Sequence, residues 1–531
     1  MIFRRKITLL LIPLFLIFFY VFFYNLIIFK GNKFLYFFFS ILSFYLIISI
    51  FYEKKYFSEI FLYIYLWLGF WWKFSISQWY YKNDQIVLSR SEGFNPSTLE
   101  PQVLNDSFFS LIIALIAIIL TSKAFRIFNK KNYNVINKNE KFFIKFYLKN
   151  RKFIILFYIF LFLIIGFTNL HYGIFQKGII NSNNINILIV SSYKWLILIG
   201  VTMVGTIILF YEMQIRNSKT FLVTILVLFQ NLIISSSHLS RAMILDCAAI
   251  LYGLNINAQS FLKKNSIKIF KLIIILFLLF FLSFATSVKL RQKAFNFNFI
   301  ITEKNFIEKK NELSNYDKNL KFIRDQSETY QKVEETILKD QGLKIPNFKF
   351  LLSELKKIFQ EILYLSVNRW VGIDSMIIVS HHSDRNFKIF FDAFKDNSSV
   401  PYYEKIFIKR FTHNNKDYPD REINKYNQKG NQLISVITPG FISFFHYPKN
   451  NFFLFFIICL VFLLVLYFEK LFIFLSGNNL ILVSFFTHLI IYRLIHFGHL
   501  PSHTYYFIAA IFFGLLSLFF IKKIVYKIYF R

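Results

Sequence analysis

The chain has 531 residues, of which 56% are apolar, 21% aromatic and only 17% charged, against roughly 25% charged in soluble domains, which excludes an ordinary soluble enzyme. Phe alone occurs 74 times, mostly inside nearly charge-free runs long enough to cross ~30 Å of hydrocarbon as helix. The formal net charge of +33 sits mainly in short loops between those runs, which assigns it to anionic lipid headgroups and not to nucleic acid.

The chain opens MIFRRK and continues into an apolar run over 7–29 with no small-residue cleavage site behind it, which reads as an uncleaved first span. Further runs follow at 34–52, 60–81, 107–122, 153–170, 186–211, 221–237, 242–256, 272–287, 451–468, 480–495 and 505–521. The fold class expected is therefore all-α: a polytopic membrane protein of about twelve transmembrane helices. The pair flanking 235–241 can also be read as one broken element.

Basic loops stay on the cytoplasmic side. Threading from a cytoplasmic N terminus puts 53–59, 123–152, 212–219, 258–271, 469–479 and the tail from Lys522 in the cytoplasm. The stretch 123–152 carries ten Lys or Arg and a single acid, Glu140. Both termini are expected in the cytoplasm of a bacterial inner-membrane protein. The opposite side receives 30–33, 82–106, 171–185, 235–241, the long segment 288–448 and 496–504.

That long segment holds 19 of the 29 acidic residues and 26 of the 62 basic ones, a mixed composition that predicts a folded, mainly helical external domain or cap. The organisation expected is nine spans over 1–287, the external domain over 288–448 and three spans over 449–531. Within the cap, 300–339 reads as a solvated amphipathic helix or arm. The stretch 351–380 has a continuous apolar helical face and is expected on the membrane or against the bundle. Cys247 and Cys459 both lie in apolar runs and indicate neither a disulfide framework nor a thiolate metal site.

No nucleotide-binding, dinucleotide or zinc-protease motif occurs, which leaves polar residues at membrane depth as the carriers of chemistry. The connection SSSHLSRA (235–242) offers His238, Ser240 and Arg241 to a phosphate or sugar, or anchors the interface through its arginine. Asp246 in the following run needs a partner of its own. In NRWVGID (368–374), Arg369 and Asp374 are five apart and point to different sides of a helix, so they need not pair. RLIHFGHLPSHT (493–504) places Arg493, His496, His499 and His503 at a membrane exit, as a phosphate and sugar site, a general base, an interface anchor or a metal cluster. Metal is disfavoured because no acid lies nearby and Pro501 interrupts the helix that would align the three imidazoles. HYGIFQKG (171–178), with two glycines and Lys177, reads as a tight loop near a ligand or as a plain loop, and TPGF (438–441) sets Pro439 in the first turn of the next span; for both the structural reading is the commoner one.

With its large external loop before the last spans, and on HYGIFQKG, LSRA, NRWVGID, TPGF and the 493–503 stretch, the chain resembles the O-antigen polymerase (Wzy) family of oligosaccharide repeat-unit polymerases. The resemblance implies a metal-independent glycosyltransferase, needing no cofactor, that moves a growing glycan from undecaprenyl pyrophosphate onto an incoming lipid-linked repeat unit outside the cytoplasm. It implies Arg241 and Arg369 on the donor pyrophosphate and Asp374 or His496 as the base that activates the acceptor hydroxyl. Arg493, His238, Ser240, Arg291, His499 and His503 would complete the substrate-binding set. The partners implied are undecaprenyl-pyrophosphate-linked oligosaccharides and anionic lipids, with a polysaccharide chain-length regulator as a further candidate. The polar stretch 296–349 matches no element of that family.

Two other classes stay open. An O-antigen ligase shares the topology, and a transporter or flippase of the same lipid-linked sugars would predict pseudo-symmetric halves, of which the sequence shows no sign. A structural scaffold would lack polar residues at membrane depth.

Overall fold

A computed structural model describes residues 16–53, 55–81, 100–129, 138–176, 186–215, 220–240, 243–257, 271–272, 274–279, 281–283, 286, 290, 370–381, 385–395, 439–497 and 501–529. Every regular element among them is helical. In chain order these are α1 (Leu16–Ile28), α2 (Lys33–Tyr52), α3 (Phe57–Leu66), α4 (Lys73–Tyr81), α5 (Pro101–Phe128), α6 (Lys138–Tyr172), α7 (Ile187–Trp195), α8 (Val201–Gln214), α9 (Thr220–Ser237) and α10 (Met243–Asn257). They continue with α11 (Ile274–Ser283), α12 (Ile373–His381), α13 (Phe387–Lys395), α14 (Phe441–Phe445), α15 (Asn451–Ser476), α16 (Leu480–Ile495) and α17 (Pro501–Tyr529). A π-helical stretch, Trp67–Trp72, joins α3 to α4, and a second, Leu196–Gly200, joins α7 to α8.

Eight of the helical stretches are long and apolar enough to cross a membrane: Lys33–Tyr52, Phe57–Trp79, Pro101–Phe128, Phe142–Tyr172, Leu188–Gln214, Thr220–Ser237, Asn451–Ser476 and Pro501–Lys527. They mark the chain as a membrane protein. The other four runs read from the sequence correspond to the shorter apolar helices α1, α10, α11 and α16.

Helices outrun their apolar stretches at several points. α6 starts at Lys138 and takes in part of the basic 123–152 stretch, because Lys and Arg are good helix formers whose stems cover apolar surface while the charge reaches water. α15 continues through the expected 469–479 loop to Ser476, where Gly477 takes the left-handed conformation (φ 69°) and closes the helix. The 235–241 region separates two packed helices, α9 and α10, with Leu239 at φ 54° in the turn. Pro439 opens no span: Gly440 precedes the five-residue α14, and α15 begins only at Asn451, capped by the Asn450 side chain. Of the cap segment, α12 packs against α5, α14 and the Trp67–Trp72 stretch, as a bundle-packing element should; 300–339 and 351–369 lie outside the described residues.

The bundle is built around α16. This helix is mostly apolar, is buried nearly all round and packs against α3, α8, α10, α15 and α17, as a helix with no solvent face must. α6, α15 and α17 carry many exposed Phe, Leu and Ile side chains outward, which is the surface lipid covers. The connections sort into two ends. At one, here the basal end, the 53–59 stretch meets Ser122, Arg126 and Glu469, and Arg151 meets Glu212. At the other, the distal end, Asn32 meets Asn105, Asp106 meets Arg385 and His446, and Gly440 meets Phe497.

Candidate functional site

The distal half of α16 collects polar groups from helices far apart in sequence. Asp246 lies in the first turn of α10, and its Oδ1 is 2.9 Å from Nδ1 of His488, off the line of an ideal hydrogen bond. On the other side of the ring, Nε2 of His488 is 2.6 Å from the Tyr65 hydroxyl on α3. All three side chains are buried. With Asp246 ionised, Nδ1 carries the proton and Nε2 accepts from the Tyr65 O–H. One turn on, the Tyr492 ring lies 6.3 Å from that of Tyr65, and Arg493 interacts electrostatically with Asp246. A buried carboxylate costs several kcal/mol without such partners.

Arg493 sets its guanidinium 4.2 Å above the Phe507 ring of α17. Within its electrostatic reach is Lys194 of α7, whose Nζ stands 5.5 Å from the Phe175 ring. Phe175 also stacks on His238, ring centroids 4.4 Å apart, and its carbonyl lies 3.2 Å from His238 Nδ1. Asn169, buried in α6, ties the two loops together by donating to Phe175 O at 3.0 Å and Ser237 O at 2.9 Å. The described parts of the two loops, 171–176 and 235–240, thus pack on each other beside two partly buried cations.

A third strand of the site is the 370–374 turn. Lys73 of α4 pairs with Asp374 and donates to Trp370 O at 2.9 Å, while the Trp370 ring lies 5.9 Å from Tyr65. The turn can approach because Gly69 and Gly372 meet backbone to backbone. A Cβ on Gly69 would fall on Val371 O, and one on Gly372 would fall on Gly69 O. The widened Trp67–Trp72 turn carries Gly69 at this crossing, and π turns of this kind recur at functional sites. Gly440, at φ 78°, seats the 439–441 segment on Val371 and Ile495 and donates to Phe497 O at 2.8 Å.

The site residues read from the sequence fall into three groups. Asp374, Arg493 and His496 sit around this convergence. Nδ1 of His496 donates to Tyr492 O at 2.9 Å, and its ring lies on Tyr492 at 4.2 Å. His238 and Ser240 are buried in the 235–240 turn, where Ser240 N donates to Ser235 O and Ser240 O accepts from Ser235 Oγ. His503 is exposed in the first turn of α17. Arg241, Arg369, Arg291 and His499 lie outside the described residues. Among the described residues no three His, Cys, Asp or Glu side chains are grouped to hold a metal ion. Sequence reasoning missed Tyr65, Lys194 and His488; the signal available was a titratable group inside an apolar run.

Two further ionic clusters brace the ends. At the distal end Arg385 donates to both Asp106 and His446 Nε2. Burial, aided by the Arg385 charge and opposed by Asp106, holds the His446 imidazole below its usual range. At the basal end burial opposes ionisation of Glu53, but Lys55 and Arg126 outweigh it and bring the carboxyl down to about 2. No family model, curated protein or solved structure matches this chain.

Proposed function

We propose that the chain is a membrane glycosyltransferase of the oligosaccharide repeat-unit polymerase type, which elongates a glycan carried on undecaprenyl pyrophosphate at the external face of a bacterial inner membrane. The observation that carries this reading is the pair of partly buried cations Lys194 and Arg493 next to the buried Asp246, His488 and Tyr65. Lys194 and Arg493 repel each other, and the carboxylate acting on Arg493, that of Asp246, leaves net positive charge that an anionic ligand would offset. A lipid-linked pyrophosphate brings that anion with its polyprenyl tail in the bilayer and its sugar toward water.

In this reading the acceptor sugar hydroxyl attacks the anomeric carbon of the donor glycan. The bond from that carbon to the pyrophosphate oxygen breaks, the carrier pyrophosphate leaves, and Arg493 and Lys194 stabilise the charge that develops on it. The basic end formed by Lys55, Arg126, Arg151 and Lys470 faces the cytoplasm, which turns the distal site outward. Arg241 and Arg369 join the cationic set by resemblance to the polymerase family.

The test is the length distribution of surface glycan on a gel from a deletion strain complemented with wild type, Arg493→Ala or Lys194→Ala, at matched membrane abundance. Single repeat units in the deletion strain, with long chains restored by wild type and not by either variant, support the polymerase. Full-length glycan stranded on the lipid carrier identifies a ligase. Loss of all lipid-linked sugar from the outer face identifies a transporter, and an unchanged ladder removes the reading.

A further inference from the structure

We propose that Asp246, His488 and Tyr65 form a proton relay through the bundle core, with Tyr65 Oη receiving the proton that the acceptor hydroxyl gives up. The reaction partner in this statement rests on the glycosyl-transfer reading; the relay itself rests on geometry. Three helices, α10, α16 and α3, each deliver one member, and the two ring nitrogens of His488 face opposite partners: Asp246 Oδ1 lies 2.9 Å from Nδ1, off the hydrogen-bond line, and the Tyr65 hydroxyl is hydrogen-bonded to Nε2 at 2.6 Å. This is the arrangement in which a hydroxyl is made basic by a neighbouring imidazole that a third group orients. A carboxylate buried at membrane depth is costly, and the charge of Asp246 faces both His488 and Arg493.

Protons balance along the chain. The acceptor O–H breaks as its oxygen bonds to the anomeric carbon, and a new O–H forms at Tyr65 Oη. The original Tyr65 proton moves to His488 Nε2, and Asp246 balances the imidazolium. When the site opens to water, the proton returns along the same path to solvent or to the departing pyrophosphate. Tyr65 is the catalytic residue of the three, with its ring against Trp370 of the 370–374 turn; His488 and Asp246 are positioning residues. Among the described residues, the other groups that bear on His488 and Asp246 are Tyr492 and Arg493 of α16 and Cys247 of α10. Lys194 of α7 lies within electrostatic reach of Arg493. Glu469 of α15 and Glu212 of α8 are at the basal end, as are the α17 lysines from Lys522 on, and α17 brings exposed His503 in its first turn. The other sequence candidates for the base are less well poised: Asp374 is paired with Lys73, and His496 has Nδ1 committed to Tyr492 O.

The experiment uses the full chain in lipid nanodiscs with a lipid-linked repeat unit as substrate. Elongation rate against pH is measured for wild type, Tyr65→Phe, His488→Gln and Asp246→Asn, together with the ¹⁵N spectrum of histidine-labelled protein. For His488→Gln the relay predicts a fall in kcat of about 10²-fold or more with KM nearly unchanged. It also predicts a displaced acidic limb in Asp246→Asn, and a wild-type His488 protonated at Nδ1 whose Nε2 signal shifts in Tyr65→Phe. Folded variants that elongate within about threefold of wild type with the same pH profile overturn the relay and leave the glycosyl-transfer reading standing. An inactive wild type removes that reading instead, and the Nε2 signal still decides the relay: no shift in Tyr65→Phe overturns it.

Discussion

Glu469, fully buried in α15, accepts hydrogen bonds from the backbone N–H groups of Phe57 and Ser58 at 2.9 and 2.8 Å. It thereby caps the first turn of α3 from another helix. The first N–H groups of any helix lack an internal partner, and in the membrane no water meets them. A carboxylate there also faces the positive end of the helix dipole. Glu469→Ala leaves these donors and the Ser58 hydroxyl without their acceptor, at a cost of about 1–3 kcal/mol. The expected outcome is a lowered thermal midpoint in detergent, with Glu469→Gln intermediate because it keeps one acceptor oxygen. An Ala variant as stable as wild type would remove the cap from the account of how α3 is held.

The crossing of Gly69 and Gly372 makes a sharper prediction. Alanine at either position places a methyl group on a carbonyl oxygen, and neither backbone can retreat while Lys73 holds both Trp370 O and Asp374. Overpacking of this kind costs about 1–3 kcal/mol. Gly69→Ala and Gly372→Ala should each reduce the folded fraction seen by fluorescence size exclusion. Gly253→Ala should lower it too, since its methyl would meet Ser484 Cβ, Ile481 Cα and Leu480 O of α16 at 2.7–2.9 Å. If the two crossing variants behave as wild type, the 370–374 turn does not sit on the π stretch.

Much of the fold was legible because the membrane sets a simple rule: a charge-free run of sufficient length becomes a helix. The alternation of basic and mixed loops likewise paired 53–59 with 123–152 and 469–479, and the structure brings Glu53, Arg126 and Glu469 to one end. The site was only half legible. Asp246 announced itself as a carboxylate in an apolar run, but its partner His488 sits in another run, and Tyr65 is 423 residues from His488. Lys194 was lost among the aromatic residues around it. Nothing in a one-dimensional pattern pairs such residues, since pairing depends on which helices pack on α16. Helix ends were misjudged where Lys or Glu continues a helix past its apolar stretch, as at Lys138 and Glu469.

The Asp106, Arg385 and His446 cluster gives the chain a pH dependence whose sign is fixed. Arg385 donates to His446 Nε2, which requires a lone pair there and so a neutral ring. With the folded imidazole held below its usual range by burial, the unfolded chain takes up the proton first. Stability is then level above about pH 6.5, the ordinary histidine value, and falls as pH drops below it, with a slope of at most about 1.4 kcal/mol per pH unit for one proton. Glu53 contributes in a separate window. Its carboxyl is down at about 2, so its contribution is full above the unfolded carboxyl range and fades only as pH falls toward 2. Thermal midpoints from pH 8 to 5 should therefore decline for wild type and flatten in His446→Gln. An equal decline in that variant would place the titrating group elsewhere.

The ion pair between Lys73 and Asp374 holds the 370–374 turn against the bundle, and its energetics separate a pair from two independent charges. Their side chains are 7% and 18% exposed, so removing one partner strands a charge in a poorly solvated place, at about 3–5 kcal/mol for a fully buried pair and less here. Removing both with apolar residues of similar volume is often close to neutral, because neither desolvation cost remains. Lys73→Met and Asp374→Leu are each expected to lower the thermal midpoint, and the double variant should recover most of the loss. The coupling in that cycle should amount to 0.5–3 kcal/mol, the usual range for residues in contact. Strict additivity would mean that each charge is satisfied by something other than its partner. Because Lys73 also donates to Trp370 O, recovery in the double variant should be incomplete, and the missing part measures what that single hydrogen bond contributes to seating Trp370 on Tyr65.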